Sequence, residues 1–171
     1  MRQYLLLLSG IIFCVQIYWI AYVEPPKDTL DIPFSQVPEF NLPSLDIAGI
    51  NINKSDITNQ NIRVINFFAS WCAPCRVEHP YLLELASHDV DMLGIAYQDK
   101  EELAKKFLID TDNPYLLTAL DQNGVLGREW GISSIPQTFI LDENGTIIYH
   151  KSGRLKRGDM DSDILPLLKR N

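Results

Sequence analysis

The chain has 171 residues, 46% of them hydrophobic and 22% charged, with 10 prolines, 9 glycines and 3 cysteines. That suits one globular domain with a short extra segment, and excludes a disordered chain, a fibrous one and a disulfide-framed scaffold. The formal net charge of -7 argues against a nucleic-acid partner, because phosphate binding needs a basic surface.

The hydrophobic residues are unevenly spread. Tyr4–Val23 (YLLLLSGIIFCVQIYWIAYV) is a run of 20 residues without a charge. As a helix it spans about 30 Å, the thickness of a bilayer's hydrocarbon core. Tyr18, Trp19 and Tyr22 gather at its far end, where an aromatic belt sits. A cleaved signal peptide has a shorter apolar core and a small-x-small exit, whereas this run leaves through Tyr-Val-Glu-Pro-Pro. The expectation is an uncleaved membrane anchor over residues 1–27, with its N-terminus in the cytoplasm by the positive-inside rule. Cys14, inside the run, reads as a small apolar residue. Removing Arg2, Glu24 and Lys27 with the anchor leaves 13 basic and 21 acidic residues, a net charge of -8, over residues 28–171. That remainder reads as one acidic domain, entered through a proline-bounded linker.

Arg63–Ala69 (RVINFFA) predicts a buried strand. Cys75–Ala86 predicts a helix with Val77, Leu82, Leu85 and Ala86 on its apolar face and Pro80 inside it. Asp91–Tyr97 predicts a second buried strand and Lys100–Ile109 an amphipathic helix. Pro136–Leu141 and Thr146–Lys151 flank Asp142-Glu143-Asn144-Gly145, a hairpin signal. A last helix begins at Asp159, with Ile164, Leu165, Leu167 and Leu168 apolar and Pro166 awkwardly placed. The order β-α-β-α-β-β-α implies an α/β fold, a mixed sheet with helices on both faces.

The chemistry-bearing motif is Trp71-Cys72-Ala73-Pro74-Cys75. Two cysteines follow a strand and open a helix, whose N-terminus presents unpaired N–H groups and a positive dipole end that stabilise a thiolate. One helical turn brings the sulfurs within disulfide reach. Cys72 is expected to be the exposed nucleophile and Cys75 the shielded resolving thiol. A structural zinc site needs four ligands, and neither a second pair nor a His pair completes the set, even with His79. Haem attachment needs His after the second Cys, where Arg76 stands. A purely structural disulfide of this span closes too small a loop to stabilise much.

VINFFASWCAPCRVEHP resembles the active-site segment of the thioredoxin superfamily, in its membrane-anchored CcmG/DsbE branch. VPEFNLPSLD resembles that branch's N-terminal β-hairpin entry, DNPYLLTALDQNG its central insertion, and WGISSIPQTFILDENG its cis-proline segment. The resemblance implies a thioredoxin-like sheet preceded by one transmembrane helix. It implies a redox pair at Cys72 and Cys75 around Ala73-Pro74, with Trp71 packed beside it. It implies a cis peptide before Pro136, and backbone groups of Ile135 offered to an extended substrate strand. Asn66 stands where thioredoxin carries a buried Asp, and cannot titrate. Glu78, one turn after Cys75, is the carboxylate this branch uses instead, expected to be partly buried and to take the Cys75 proton; a solvated acid on the helix face is the alternative. Gln137 departs from the branch, which usually has Glu there, and Ser133-Ser134-Ile135 departs too. Both bear on substrate preference. His88 and His150 read as surface or edge positions.

The resemblance implies a thiol:disulfide oxidoreductase acting in the periplasm from the inner membrane. It would reduce apocytochrome c, or a CcmH-like partner, before haem attachment. It would be re-reduced by a DsbD/CcdA-like membrane donor, with no cofactor or metal beyond its own reversible disulfide. Alternatives are a more general TlpA/ResA-like reductase, a DsbA-like oxidant (which would carry a large helical insertion), and a redox-inert assembly or binding module on the same fold.

Overall fold

A computed structural model describes residues 36–169. The expected anchor and linker lie outside them. Among the described residues no helix is long and apolar enough to cross a membrane.

The central sheet has five strands: β3 (Val64–Phe68), β4 (Met92–Tyr97), β5 (Leu117–Asp121), β6 (Gln137–Leu141) and β7 (Ile147–Ser152). Their spatial order is β5-β4-β3-β6-β7. The β3/β4 and β4/β5 pairs are parallel, and the β3/β6 and β6/β7 pairs antiparallel. Ahead of this sheet, β1 (Asn41–Pro43) and β2 (Asn51–Asn53) form an antiparallel pair leading into α1 (Lys54–Asn59). This is the N-terminal hairpin the resemblance implies. The Leu45 N–H donates to the Thr118 carbonyl at 2.9 Å and Ser44 bridges Ala119, so the hairpin covers part of the β5 edge.

Two helices connect the parallel strands: α2 (Ala73–Ser87) after β3 and α3 (Glu101–Thr111) after β4. Each crossover steps in the same direction across the sheet, so its right-handedness puts both helices on one face. Leu82 and Leu85 of α2 and Phe107 of α3 accordingly share one core with Val64, Phe68, Cys72 and Cys75. The opposite core joins Ile65, Phe67 and Phe139 to Ile57 of α1 and to Leu126 and Trp130, of and just after α4 (Val125–Glu129). Strand alternation explains the division: Val64, Asn66 and Phe68 point one way, Ile65 and Phe67 the other. Phe40, Phe67 and Phe139 ring Trp130 at centroid distances of 6.4, 5.4 and 5.3 Å. Such pairs contribute about 0.5–1.5 kcal/mol each beyond their buried area.

The sequence order omitted α1, and it omitted β5 and α4 from the segment Tyr115–Glu129. At five residues α4 makes little more than one turn, too short to show a repeating apolar face. Helix α2 runs on through Pro80, which is exposed. Its buried positions are Cys75, Glu78, His79, Leu82 and Leu85. Val77, expected on the apolar face, is 54% exposed instead. The final helix, α5, comprises Arg157–Asp159, a π-helical turn over Met160–Ile164, and Leu165–Leu168. The widened turn falls just before Pro166, which has no N–H to donate to the carbonyl four residues back. Met160 and Ile164 are its fully buried residues, and Leu165, Leu167 and Leu168 are only partly buried.

Candidate active site

The strand β3 ends at Phe68, and a tight turn delivers Cys72 to the start of α2. The Cys72 N–H donates to the Ala69 carbonyl at 3.1 Å. Asp99, after β4, anchors the turn: it accepts from both the N–H and the hydroxyl of Ser70. Arg76 reaches back to the Ser70 carbonyl at 2.8 Å while its guanidinium lies over the Phe107 ring at 4.7 Å. The Trp71 indole N–H donates to the Gln98 carbonyl at 3.1 Å, holding a ring that is 59% exposed beside the cysteines.

Cys72 caps α2. Its sulfur accepts the Cys75 N–H at 3.1 Å and is bonded to the Cys75 sulfur at 2.02 Å. The sulfur thus sits on the unpaired N–H groups and positive end of a 15-residue helix. Sequence reasoning expected Cys72 exposed and Cys75 shielded. In the closed disulfide the two are alike, 3% and 2% exposed.

The Ile135–Pro136 peptide is cis, as the resemblance implied. Ser133 and Ser134 are exposed before it and Pro136 is buried. Among the described residues, neither the N–H nor the carbonyl of Ile135 has a hydrogen-bond partner. β6 starts at the next residue after the proline.

On the face of the sheet beneath α2, Glu78 is fully buried, more than the partial burial expected from sequence, so it is not a solvated helix-face acid. Its Oε1 accepts from Asn66 Nδ2 at 3.0 Å and its Oε2 from the Leu155 N–H at 2.8 Å. Burial pushes the Glu78 carboxyl up to about 7, against the opposing pull of the Leu155 and Asn66 hydrogen bonds. Asn66 also donates to Thr138 Oγ1 at 3.0 Å and accepts the Tyr115 hydroxyl at 2.7 Å. The register that sets Asn66 between Gly94 and Thr138 makes this possible. A Cβ on Gly94 would lie 2.5 Å from the Tyr115 ring, so only glycine lets that ring lie across the sheet and reach Asn66.

Sequence reading therefore named Cys72, Cys75, Asn66, Glu78 and Pro136, and the fold joins the first two in a disulfide and the next two in a hydrogen bond. It missed Tyr115, Thr138, Asp99 and the Leu155 backbone. No local signal marks these residues, because each meets the site only through sheet register or a chain reversal. His150 is not a free edge residue: it bonds to Gln137. His88 is exposed at the end of α2, as expected.

A family model described as Redoxin matches residues 34–168. The thiol:disulfide interchange protein DsbE of Vibrio cholerae is 33% identical over 165 residues, covering 96% of this chain and 89% of its own. The protein of the same name from Escherichia coli K12 is 36% identical over 131 residues, 77% and 71% of the two chains. Among solved structures, a secreted thiol-disulfide isomerase from Corynebacterium glutamicum superposes with a TM-score of 0.66 at 25% identity, covering 85% of this chain and 96% of its own. With likeness of this extent, and paired sulfurs where exchange chemistry needs them, the chain belongs to the Redoxin family and is a thiol-disulfide oxidoreductase of thioredoxin fold.

Proposed function

We propose that this oxidoreductase works as a reductant outside the cytoplasm, held to the inner membrane by residues 1–27. In this reading its substrate is a disulfide of apocytochrome c, or of a CcmH-like assembly partner, before haem attachment. The observation that carries it is the placement of the Cys72–Cys75 pair at a helix N-terminus, in a chain related over most of its length to DsbE proteins.

The reduced Cys72 thiolate attacks one sulfur of the substrate disulfide. A Cys72–substrate bond forms, and the other substrate sulfur leaves as a thiolate and takes up a proton. Cys75 then loses its proton, attacks the Cys72 sulfur and closes the 2.02 Å bond seen in the structure; the second substrate sulfur departs reduced. In this reading Glu78, one turn on from Cys75, is the base that takes the Cys75 proton. A carboxyl held near 7 gives up and accepts protons readily at neutral pH. Ile135 lends its unpaired N–H and carbonyl to an extended substrate segment, in the manner of strand addition. Each turnover leaves the pair oxidised, so a membrane electron donor of the DsbD/CcdA type must reduce it again. No other cofactor is required.

The test is trapping. Cys75→Ser leaves the mixed disulfide unresolved, so the bound partner can be recovered from cells and identified. A protein of cytochrome c assembly supports the reading. Recovery of some other exported disulfide protein refutes it in favour of a more general TlpA/ResA-like reductase, a role in line with Gln137 in place of the branch's acid.

A further inference from the structure

Gln137 follows the cis peptide directly, yet its side chain is turned inward and the residue is only 4% exposed. Nε2 donates to the Ser134 carbonyl at 2.8 Å and to the Ser152 hydroxyl at 3.1 Å. Oε1 is 2.6 Å from His150 Nε2. A carbonyl oxygen only accepts, so the Ser134 contact sets which end of the amide is nitrogen. His150 must then be the donor, with a proton on Nε2. Its ring is itself fixed, stacked on Phe139 with centroids 4.5 Å apart. The register pairs Gln137 with Ser152 and Phe139 with His150, so all four side chains share one face of β6 and β7. The Gln137 amide thus ties the body of this hairpin to the exposed loop that carries Ile135.

We infer that Gln137 is a positioning residue for polypeptide substrates: its amide pins the Ser134 carbonyl inward, which presents the unpaired backbone groups of Ile135 to an incoming strand. The inference rests on the exchange reaction proposed above. It gives a chemical reason for a neutral residue at this position. A carboxylate has no N–H for the Ser134 carbonyl, and would set an acceptor against an acceptor. Pairing with His150 would not restore the lost bond. A protonated carboxyl would restore it, because its O–H can donate.

The experiment compares the unaltered full chain with Gln137→Glu, using a synthetic peptide with one intramolecular disulfide and a small aromatic disulfide as substrates. At neutral pH the KM for the peptide is expected to rise about tenfold, the worth of one lost hydrogen bond. The aromatic disulfide, which has no strand to dock, should be affected far less. On acidification the peptide KM of the variant should return toward that of the unaltered chain. His150→Phe keeps the stack on Phe139 but removes the donor. It should raise the peptide KM at every pH without recovery, and it carries the test if Gln137→Glu does not fold. An unchanged peptide KM in the folded variants overturns the inference, as does an equal loss with both substrates. If the unaltered chain turns over no peptide disulfide at all, the functional reading falls and takes this inference with it.

Discussion

The buried carboxyl of Glu78 should make the protein less stable as pH rises through neutrality. Burial lifts this group from 4.5 to about 7 in the folded protein. Between those values the folded state holds a proton that the unfolded state has released. Stability therefore falls with rising pH across that window. The extra stability is fully present below about pH 4.5 and is lost above about pH 7. A separation of about two and a half units, at 1.36 kcal/mol per unit, amounts to about 3 kcal/mol. The measurement is urea denaturation of the disulfide-closed protein from about pH 4.5 to about pH 8, where neither active-site sulfur titrates. Glu78→Gln removes the titration, and its stability curve should lack this fall. The substituted amide is a poorer fit in absolute terms, since its single oxygen cannot serve both Asn66 Nδ2 and the Leu155 N–H. Glu84 is held below the usual carboxylate range, first of all by its hydrogen bonds from Arg157. If the two curves run parallel across that range, the carboxyl is not perturbed in the folded state and the reasoning fails.

Tyr115→Phe removes one hydroxyl and leaves Asn66 Oδ1 buried without its donor; a loss of about 1–3 kcal/mol is expected in the same denaturation assay. The Asn66 amide, no longer polarised by that hydroxyl, should also hold the Glu78 carboxylate less well, so the carboxyl should titrate higher in a carbon-13 NMR titration. Gly94→Ala drives a methyl into the Tyr115 ring and should cost about 1–3 kcal/mol as overpacking, read as a fall in the urea midpoint. A Cys75→Ser protein should accumulate a mixed disulfide on gels run without reductant, and one that releases substrate at the unaltered rate would show that Cys75 is not the resolving thiol.

Much of the site was readable before the fold. Cys72 and Cys75 announce themselves by spacing and by their place between strand and helix. Resemblance singled out Asn66, Glu78 and Pro136. What could not be read was the partner set. Asn66 and Glu78 are 12 positions apart, yet their meeting depends on which face of α2 packs on β3. The apolar spacing misplaced that face by one residue, putting Val77 inward where Glu78 lies. Tyr115 comes from an insertion without periodicity, and Leu155 offers only a backbone N–H, which has no sequence signature at all. Gln137 was visible as a departure, but its direction was not. In sequence it bears only on substrate preference, until β7 brings His150 and Ser152 against it.

Covalent spacing and local helix geometry are properties of short segments, so residues 71–75 alone determined that two sulfurs would meet at a helix N-terminus. Strand patterns determined that a sheet would lie behind them. The burial of Glu78 with its raised pKa, the hydrogen bond that holds the loop at Ser134 and the equal burial of the two sulfurs were decided only by tertiary structure. Each depends on desolvation or on a partner distant in the chain, and those arise only when helix, sheet register and hairpin have closed over the site.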